Sequence, residues 1–313
     1  MPRDACRRLL SAFGVLSQTR KYASQSGRHT AAQQTGNLKP TKKLGLQNVS
    51  HIVAVTSAKG GVGKSTTAVN LAVAMATLLK LRVGLLDGDV HGPSLGKMMG
   101  LAGEPALSAG PQPLMLPKDN WRVRVMSFAF FAKEGQAVAL RGPMVNSAFD
   151  KMAWGTDWGP LDVLVLDMPP GTGDAQINLG QRVPLSGAIV VSTPQDIALL
   201  DAKRGVQLFQ KLGVPLLGMV ENMSYHQCSA CGHKEHTFGE GGVTRTAEEY
   251  GLPVLGQIPL DISIRVRSDS GAPVVVSEPS GVCAQAYFAM ARAVYARLQE
   301  LSSQPSGPTI TID

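Results

Sequence analysis

Ile52-Val53-Ala54-Val55-Thr56-Ser57-Ala58-Lys59-Gly60-Gly61-Val62-Gly63-Lys64-Ser65-Thr66 decides the fold of this chain. A β-branched apolar run leads into three glycines, and a helical stretch opens at Ser65. Strand, glycine loop and helix in that order are the context in which a phosphate-binding loop forms. Gly60, Gly61 and Gly63 let the backbone turn its N–H groups inward around a polyphosphate. The helix start adds its positive dipole end. Lys64 offers a point charge to the β/γ oxygens, and Ser65 offers a hydroxyl to Mg²⁺. The expected nucleotide ligands here are Lys59, Gly60, Gly61, Val62, Gly63, Lys64, Ser65 and Thr66. The competing reading, a glycine-rich turn with incidental lysines, fails to explain why so many features coincide.

The loop departs from the common spacing G-x-x-x-x-G-K-[ST]. Ala58 stands at the first glycine position, and a second lysine, Lys59, follows it. This form resembles the deviant Walker-A ATPases, the group of MinD, ParA and the nitrogenase iron protein. In that group the extra lysine reaches across a two-fold axis to the partner's phosphates. The resemblance therefore implies a homodimer, with Lys59, Lys64 and Asp89 as the catalytic set.

Outward from the loop, strands alternate with helices, as a parallel doubly wound sheet requires. Strands are expected near 52–57, 82–87, 122–127, 162–167, 187–192, 216–221 and 254–258. Helices are expected over 65–80, 142–153, 195–212, 242–250 and 281–301. Leu161-Asp162-Val163-Leu164-Val165-Leu166 and Ala188-Ile189-Val190-Val191 are short apolar runs, typical of buried parallel strands. In the final helix Ala284, Tyr287, Phe288, Ala291, Val294, Tyr295 and Leu298 share one face, which reads as core. Residues 101–120, rich in Pro and Gly, read as a surface excursion. The predicted fold is α/β, a doubly wound, mostly parallel sheet in a single P-loop domain over 50–301, carrying a metal loop at 223–240. It is preceded by a leader over 1–35 and a polar linker over 36–49, and followed by a flexible tail over 302–313.

The 313-residue chain carries a net charge of +7, which on its own suggests nucleic acid. The distribution argues otherwise. Residues 1–43 hold nine basic side chains against Asp4 alone, so the remainder sums to −1 and leaves no basic stripe for a phosphate backbone. Cys6-Arg7-Arg8-Leu9-Leu10-Ser11-Ala12-Phe13 can form a basic amphipathic helix. That describes a mitochondrial transit peptide and predicts the matrix as destination, with a solvated basic tail as the alternative. Arg20-Lys21-Tyr22-Ala23-Ser24 resembles a matrix-protease site cut after Tyr22. No stretch approaches the roughly 20 apolar residues of a membrane span, so stable membrane insertion is not expected. Of four cysteines, Cys6 would leave with the leader. Three remain, which suits a reducing compartment.

A P-loop needs carboxylates at neighbouring strand ends, because Mg²⁺ prefers oxygen ligands. Asp167 follows an apolar run and takes the Walker-B position, holding Mg²⁺ together with Ser65. Gly171 and Gly173 form a mobile loop able to sense a γ-phosphate. Asp89 lies past the second strand, where an attacking water can be oriented; Asp87 and Asp174 are weaker candidates. For each aspartate the alternative is a cap on the next turn. Asn222 ends a strand and offers an amide able to pair with a base edge by both donor and acceptor, and Pro259, in the stretch that ends the next strand, is placed to line the base pocket; adenine over guanine is what the resemblance given below implies.

Cys228-Ser229-Ala230-Cys231 lies on a loop with Gly232, His233 and His236. One C-x-x-C cannot supply the four ligands that zinc or an iron–sulfur cluster usually needs. Three readings stay open: two chains pooling four thiols around a [4Fe–4S] cluster, a zinc site of Cys228, Cys231, His233 and His236, or a redox dithiol. Cys283 falls within the apolar helix pattern and reads as a small buried hydrophobe.

Asp87-Gly88-Asp89-Val90-His91-Gly92-Pro93-Ser94, Arg141-Gly142-Pro143-Met144, Asp167 to Asp174, Ser192-Thr193-Pro194-Gln195-Asp196 and Glu221-Asn222-Met223-Ser224, together with the P-loop and the C-x-x-C, resemble the Mrp-type ATPases of iron–sulfur assembly. The resemblance spans residues 50 to about 300. It implies ATP, Mg²⁺ and a [4Fe–4S] cluster as cofactors and apo iron–sulfur proteins as partners. With the leader, it implies the mitochondrial branch, linked to respiratory complex I. It also implies slow ATP hydrolysis coupled to transfer. One departure is Gly88, where the family carries alanine, a change expected to matter little. The rival is a MinD/ParA-like positioning ATPase, which would need an amphipathic anchor or a basic surface; Ser302 to Pro308 offers neither.

Overall fold

Three apolar runs, 52–55, 163–166 and 188–191, are wholly buried and form the middle of one sheet. The computed structural model of the protein describes residues 46–109, 111–131 and 142–303. The expected leader, most of the linker, Arg141 and the tail beyond Ser303 lie outside them.

The strands are β1 (Val49–Thr56), β2 (Val83–Asp87), β3 (Lys118–Asn120), β4 (Val123–Met126), β5 (Leu161–Asp167), β6 (Gly187–Ser192), β7 (Leu216–Asn222), β8 (His226–Gln227), β9 (Lys234–Glu235) and β10 (Val254–Ile258). The helices are α1 (Lys64–Leu78), α2 (Leu95–Met98), α3 (Gly142–Trp154), α4 (Asp174–Arg182), α5 (Asp196–Lys211), α6 (Gly242–Glu249), α7 (Ile262–Asp269), α8 (Val274–Ser277) and α9 (Val282–Ser303). Eight strands form one sheet in the order β10-β7-β6-β1-β5-β2-β4-β3. All pairings are parallel except that of β3 with β4.

The expected doubly wound α/β sheet is present. Helix α1 is buried over nearly its whole length and packs against α9 and the sheet. Its residues Ala68 to Ala76 are apolar all round except Asn70, the pattern of a helix enclosed on every side. Strand alternation sends Ile189 and Val191 into the main core, while Val190 joins Met219, Leu199, Val206 and Val243 in a second cluster. The main cluster takes consecutive residues of β1 and β5, so it lies on both faces of the sheet, and the second is a smaller group where α5 and α6 cover β6 and β7.

Several boundaries move. The domain begins at least at Leu46, which packs on the core, and β1 starts at Val49 inside the expected linker. Helix α9 runs to Ser303, taking in the first two residues of the expected tail. The excursion over 101–120 ends in β3, a three-residue edge strand. Helices α4 and α7 appear where none was expected.

Candidate functional site

Strand β1 sits at the middle of the sheet, between β5 and β6. Its register with β5 sets Val55 beside Asp167, and β5 with β2 sets Asp167 beside Asp87. Three strand ends therefore meet where the glycine loop leaves β1, the place where open α/β sheets hold ligands. Gly61 and Gly63 adopt left-handed φ of 81° and 83°. Gly63 precedes the first turn of α1, and no side chain caps that turn, so its N–H groups face the loop.

Lys64 is 7% exposed, and its Nζ lies 2.6 Å from Asp167 Oδ1. It also donates to Ser65 Oγ at 3.2 Å. Asp167 is fully buried, and its Oδ2 has no hydrogen-bond partner. Burial raises the pKa of Asp167, with Lys64 opposing the rise. An orphaned carboxylate oxygen beside a serine hydroxyl is a hard-oxygen donor set that fits Mg²⁺.

Asp87 is also fully buried and accepts from Ser127 Oγ at 2.7 Å and from the Asp89 N–H at 3.1 Å. Burial, then repulsion from Asp167, pushes its pKa up to about 7. Asp87 thus holds the turn after β2 through neighbours that no local pattern announces. Asp89 is half-buried and accepts from the Gly92 N–H at 3.1 Å, as a turn cap does, yet its charge is close enough to act on Asp167. Asp174 is the exposed first residue of α4, where a carboxylate meets the helix dipole. The Gly171 N–H donates to Ser57 O at 3.1 Å, so the loop after β5 is tied to the P-loop. Buried Gln176 on α4, which sequence reasoning passed over, joins them: its Nε2 donates to Thr56 Oγ1 at 3.0 Å and Pro169 O at 2.6 Å.

Gly88 has less room than expected. Its N–H donates to Asp167 O at 2.8 Å, and a Cβ there would lie 2.7 Å from that same oxygen. Glycine and alanine are not interchangeable at this position of this chain.

Lys59 is half-buried, and among the described residues its ammonium has no hydrogen-bond or ion-pair partner. Asn222 is placed against the P-loop itself: its Nδ2 donates to Val62 O at 2.8 Å. A Cβ on Gly63 would stand 2.1 Å from that nitrogen. Pro259 is buried and lines a cleft of about 370 Å³ with Cys228, Asp261, Glu278 and Cys283. The structure thus sets Pro259 beside the cysteine loop.

That loop leaves β7 after Asn222, forms a two-strand ribbon of β8 and β9, and returns to the body at α6. At its tip Cys231 is exposed and Cys228 partly so. The Cys231 and Ala230 N–H groups lower the Cys228 pKa, which favours the thiolate. No group of three or more His, Cys, Asp or Glu side chains gathers for a metal among the described residues. His236 Nδ1 is engaged with Ser224 O at 3.0 Å. The single-chain zinc set is therefore not assembled. Burial pushes the Cys283 thiol up to about 11, consistent with an unreactive packing group.

A glycine loop at the centre of a parallel sheet, a buried lysine behind it and a carboxylate on the next strand define the P-loop NTPase class. A family model described as NUBPL iron-transfer P-loop NTPase, within ParA, matches residues 48–295. This chain belongs to that family. It is 47% identical over 303 residues to an Arabidopsis thaliana protein called iron-sulfur protein required for NADH dehydrogenase, mitochondrial, covering 97% of this chain and 92% of that one. It is 51% identical over 259 residues to the Mus musculus iron-sulfur cluster transfer protein NUBPL, covering 82% and 81%. Among solved structures, a nucleotide-binding protein of Archaeoglobus fulgidus in complex with ADP superposes with a TM-score of 0.65 at 32% identity. That match covers 78% of this chain and 92% of the other.

Proposed function

We propose that this protein is an ATP-binding carrier that takes up a [4Fe–4S] cluster and delivers it to apo-proteins in the mitochondrial matrix, respiratory complex I subunits among them. The observation that carries the reading is the loop pair of Cys228, partly exposed, and Cys231, exposed, around which no group of three or more His, Cys, Asp or Glu side chains gathers among the described residues. Two thiols are half of what a cluster needs, and a second copy of the chain supplies the other half. The names of the plant and mouse relatives, one required for NADH dehydrogenase and one a cluster transfer protein, point to the same cargo and client.

Gly60, Gly61, Val62, Gly63 and Thr66 cradle the phosphates, Lys64 neutralises the β/γ oxygens, and Ser65 and Asp167 hold Mg²⁺. Lys59, with no partner among the described residues, reaches the phosphates of the second copy. Asp89 orients water for slow hydrolysis. Lys64 is paired with Asp167, so nucleotide binding would have to part the two, and the Asp167 carboxylate with the Ser65 hydroxyl would then hold Mg²⁺, which would supply positive charge to the phosphate oxygens. Asn222 and Pro259 serve the nucleotide site, Asn222 through the loop carbonyl it holds, while Pro259 also lines the cysteine cleft.

Anaerobic reconstitution with iron and sulfide tests this. A brown dimer that loses its colour in Cys228→Ala is expected. Colourless, monomeric protein overturns the carrier reading.

A further inference from the structure

The two halves of the proposed machine, nucleotide loop and cysteine loop, are joined through two consecutive residues at the end of β7. Neighbours on a strand point to opposite faces. Asn222 faces the P-loop and donates to Val62 O. Glu221 faces the other way and is 1% exposed. One of its oxygens, Oε1, accepts from Ser224 Oγ at 2.6 Å, where the cysteine loop departs. The other, Oε2, accepts from the Val243 N–H at 3.0 Å, in the first turn of α6, where the loop returns. A third donor, Gln257 Nε2, lies 3.4 Å from Oε1. A buried carboxyl without a cation beside it is tolerated when N–H and O–H groups of this kind satisfy it. Between Asn222 and Ser224, Met223 is held at a left-handed φ of 55°, a conformation a non-glycine side chain adopts only under constraint. Ser224 is pinned further, its N–H donating to Ile258 O at 2.9 Å and its carbonyl meeting His236 Nδ1 at 3.0 Å.

We propose that Glu221 is a positioning residue that clamps both ends of the cysteine loop and, through Asn222, makes the geometry of that loop depend on what the P-loop holds. A phosphate chain that draws the Val62–Gly63 peptide toward itself must move or release the Asn222 amide, because that amide occupies the space against Gly63. The shift passes along one peptide bond to a carboxyl that grips the loop at its departure and its return. The constrained Met223 is where it is absorbed. The proposal rests on the nucleotide half of the function above and is indifferent to what the thiols carry.

The test uses metal-free, full-length protein and iodoacetamide, with mass spectrometry separating label at Cys228 and Cys231 from label at Cys6 and Cys283. Mg-ATP is expected to change the labelling rate at Cys228 and Cys231 by roughly fivefold or more, the lower end of ordinary site-to-site coupling. In Glu221→Gln the ratio of rates with and without Mg-ATP falls to about one. Ser224→Ala, which frees only the departing end, gives an intermediate ratio, and it decides the matter if Glu221→Gln does not fold. A wild-type ratio of one, or variants that keep the wild-type ratio, overturns the proposal. Failed cluster reconstitution would sink the carrier reading and leave this ratio unaffected.

Discussion

Asp87 and Asp167 are two buried carboxyls on adjacent strands, with Lys64 paired to Asp167. Such a group of charges is sensitive to protons. The Asp87 pKa stands near 7 in the folded chain, above its ordinary value of about 4 when unfolded. A raised acid binds its proton more tightly in the native state, so its contribution is fully present at low pH and is lost as pH rises through about 7. The nucleotide-free protein should therefore melt at a higher temperature at about pH 6 than at about pH 8, and Asp87→Asn should flatten that slope. A wild-type profile unchanged by the substitution would assign the dependence to another group. Gly88 gives a second expectation at this scale. Gly88→Ala forces a methyl against the Asp167 carbonyl and should lower stability by about 1–3 kcal/mol in urea titration. A loss near zero would mean that the β2 end yields more easily than its hydrogen bond suggests.

Helix α7 shows where reading a chain by pattern fails. Ile262, Ile264 and Val266 alternate with Ser263, Arg265 and Arg267, the period of a strand, yet the segment is helical. In a strand the three apolar residues would share a face. In the helix Ile262 and Val266 stand in solvent at 71% and 43% exposure, while Ile264 packs on the core. Ile264→Ser should cost about 1–3 kcal/mol, whereas Ile262→Ser and Val266→Ser should each stay within about 0.5 kcal/mol. Equal losses from all three would contradict the helix. The one legible signal was Asp261, whose carboxylate accepts from the Ser263 N–H at 2.7 Å as an N-cap. Helix α4 was hidden by its own polarity, Asp-Ala-Gln-Ile-Asn-Leu-Gly-Gln-Arg, and α2, α8, β8 and β9 are shorter than any period can reveal. The long buried strands were legible because a strand covered on both faces must be apolar throughout. The P-loop and Asp167 stood out in the sequence for a related reason: in the proposed site their residue types would be dictated by phosphate and metal. Glu221, Gln176 and Ser127 were not, because each acts through partners distant in sequence that only the folded sheet brings near.

At the scale of the molecule, the body is one sheet with helices on both sides, and the cysteine loop lies against its edge, sharing a cleft with Pro259, Asp261, Glu278 and Cys283. No helix among the described residues is long and apolar enough to cross a membrane. In the proposed carrier, a second copy of the chain would complete both the two-thiol loop and Lys59, which has no partner among the described residues. Light scattering on ATP-saturated, metal-loaded protein should report two chains, and its melting temperature should rise with protein concentration. A single chain under those conditions would remove the pooled-ligand reading.

The ribbon of β8 and β9 adds no strand to the eight-stranded sheet, and it meets the body at Leu260, whose N–H donates to Tyr225 O at 2.7 Å and whose carbonyl meets His226 Nδ1 at 3.2 Å. It behaves as a cassette plugged into a chassis. A chain in which residues 225–240 are exchanged for a short glycine–serine bridge should keep a cooperative unfolding transition and still retain ATP, while forfeiting all iron. Evolution could on this plan remodel the cargo grip without disturbing the motor.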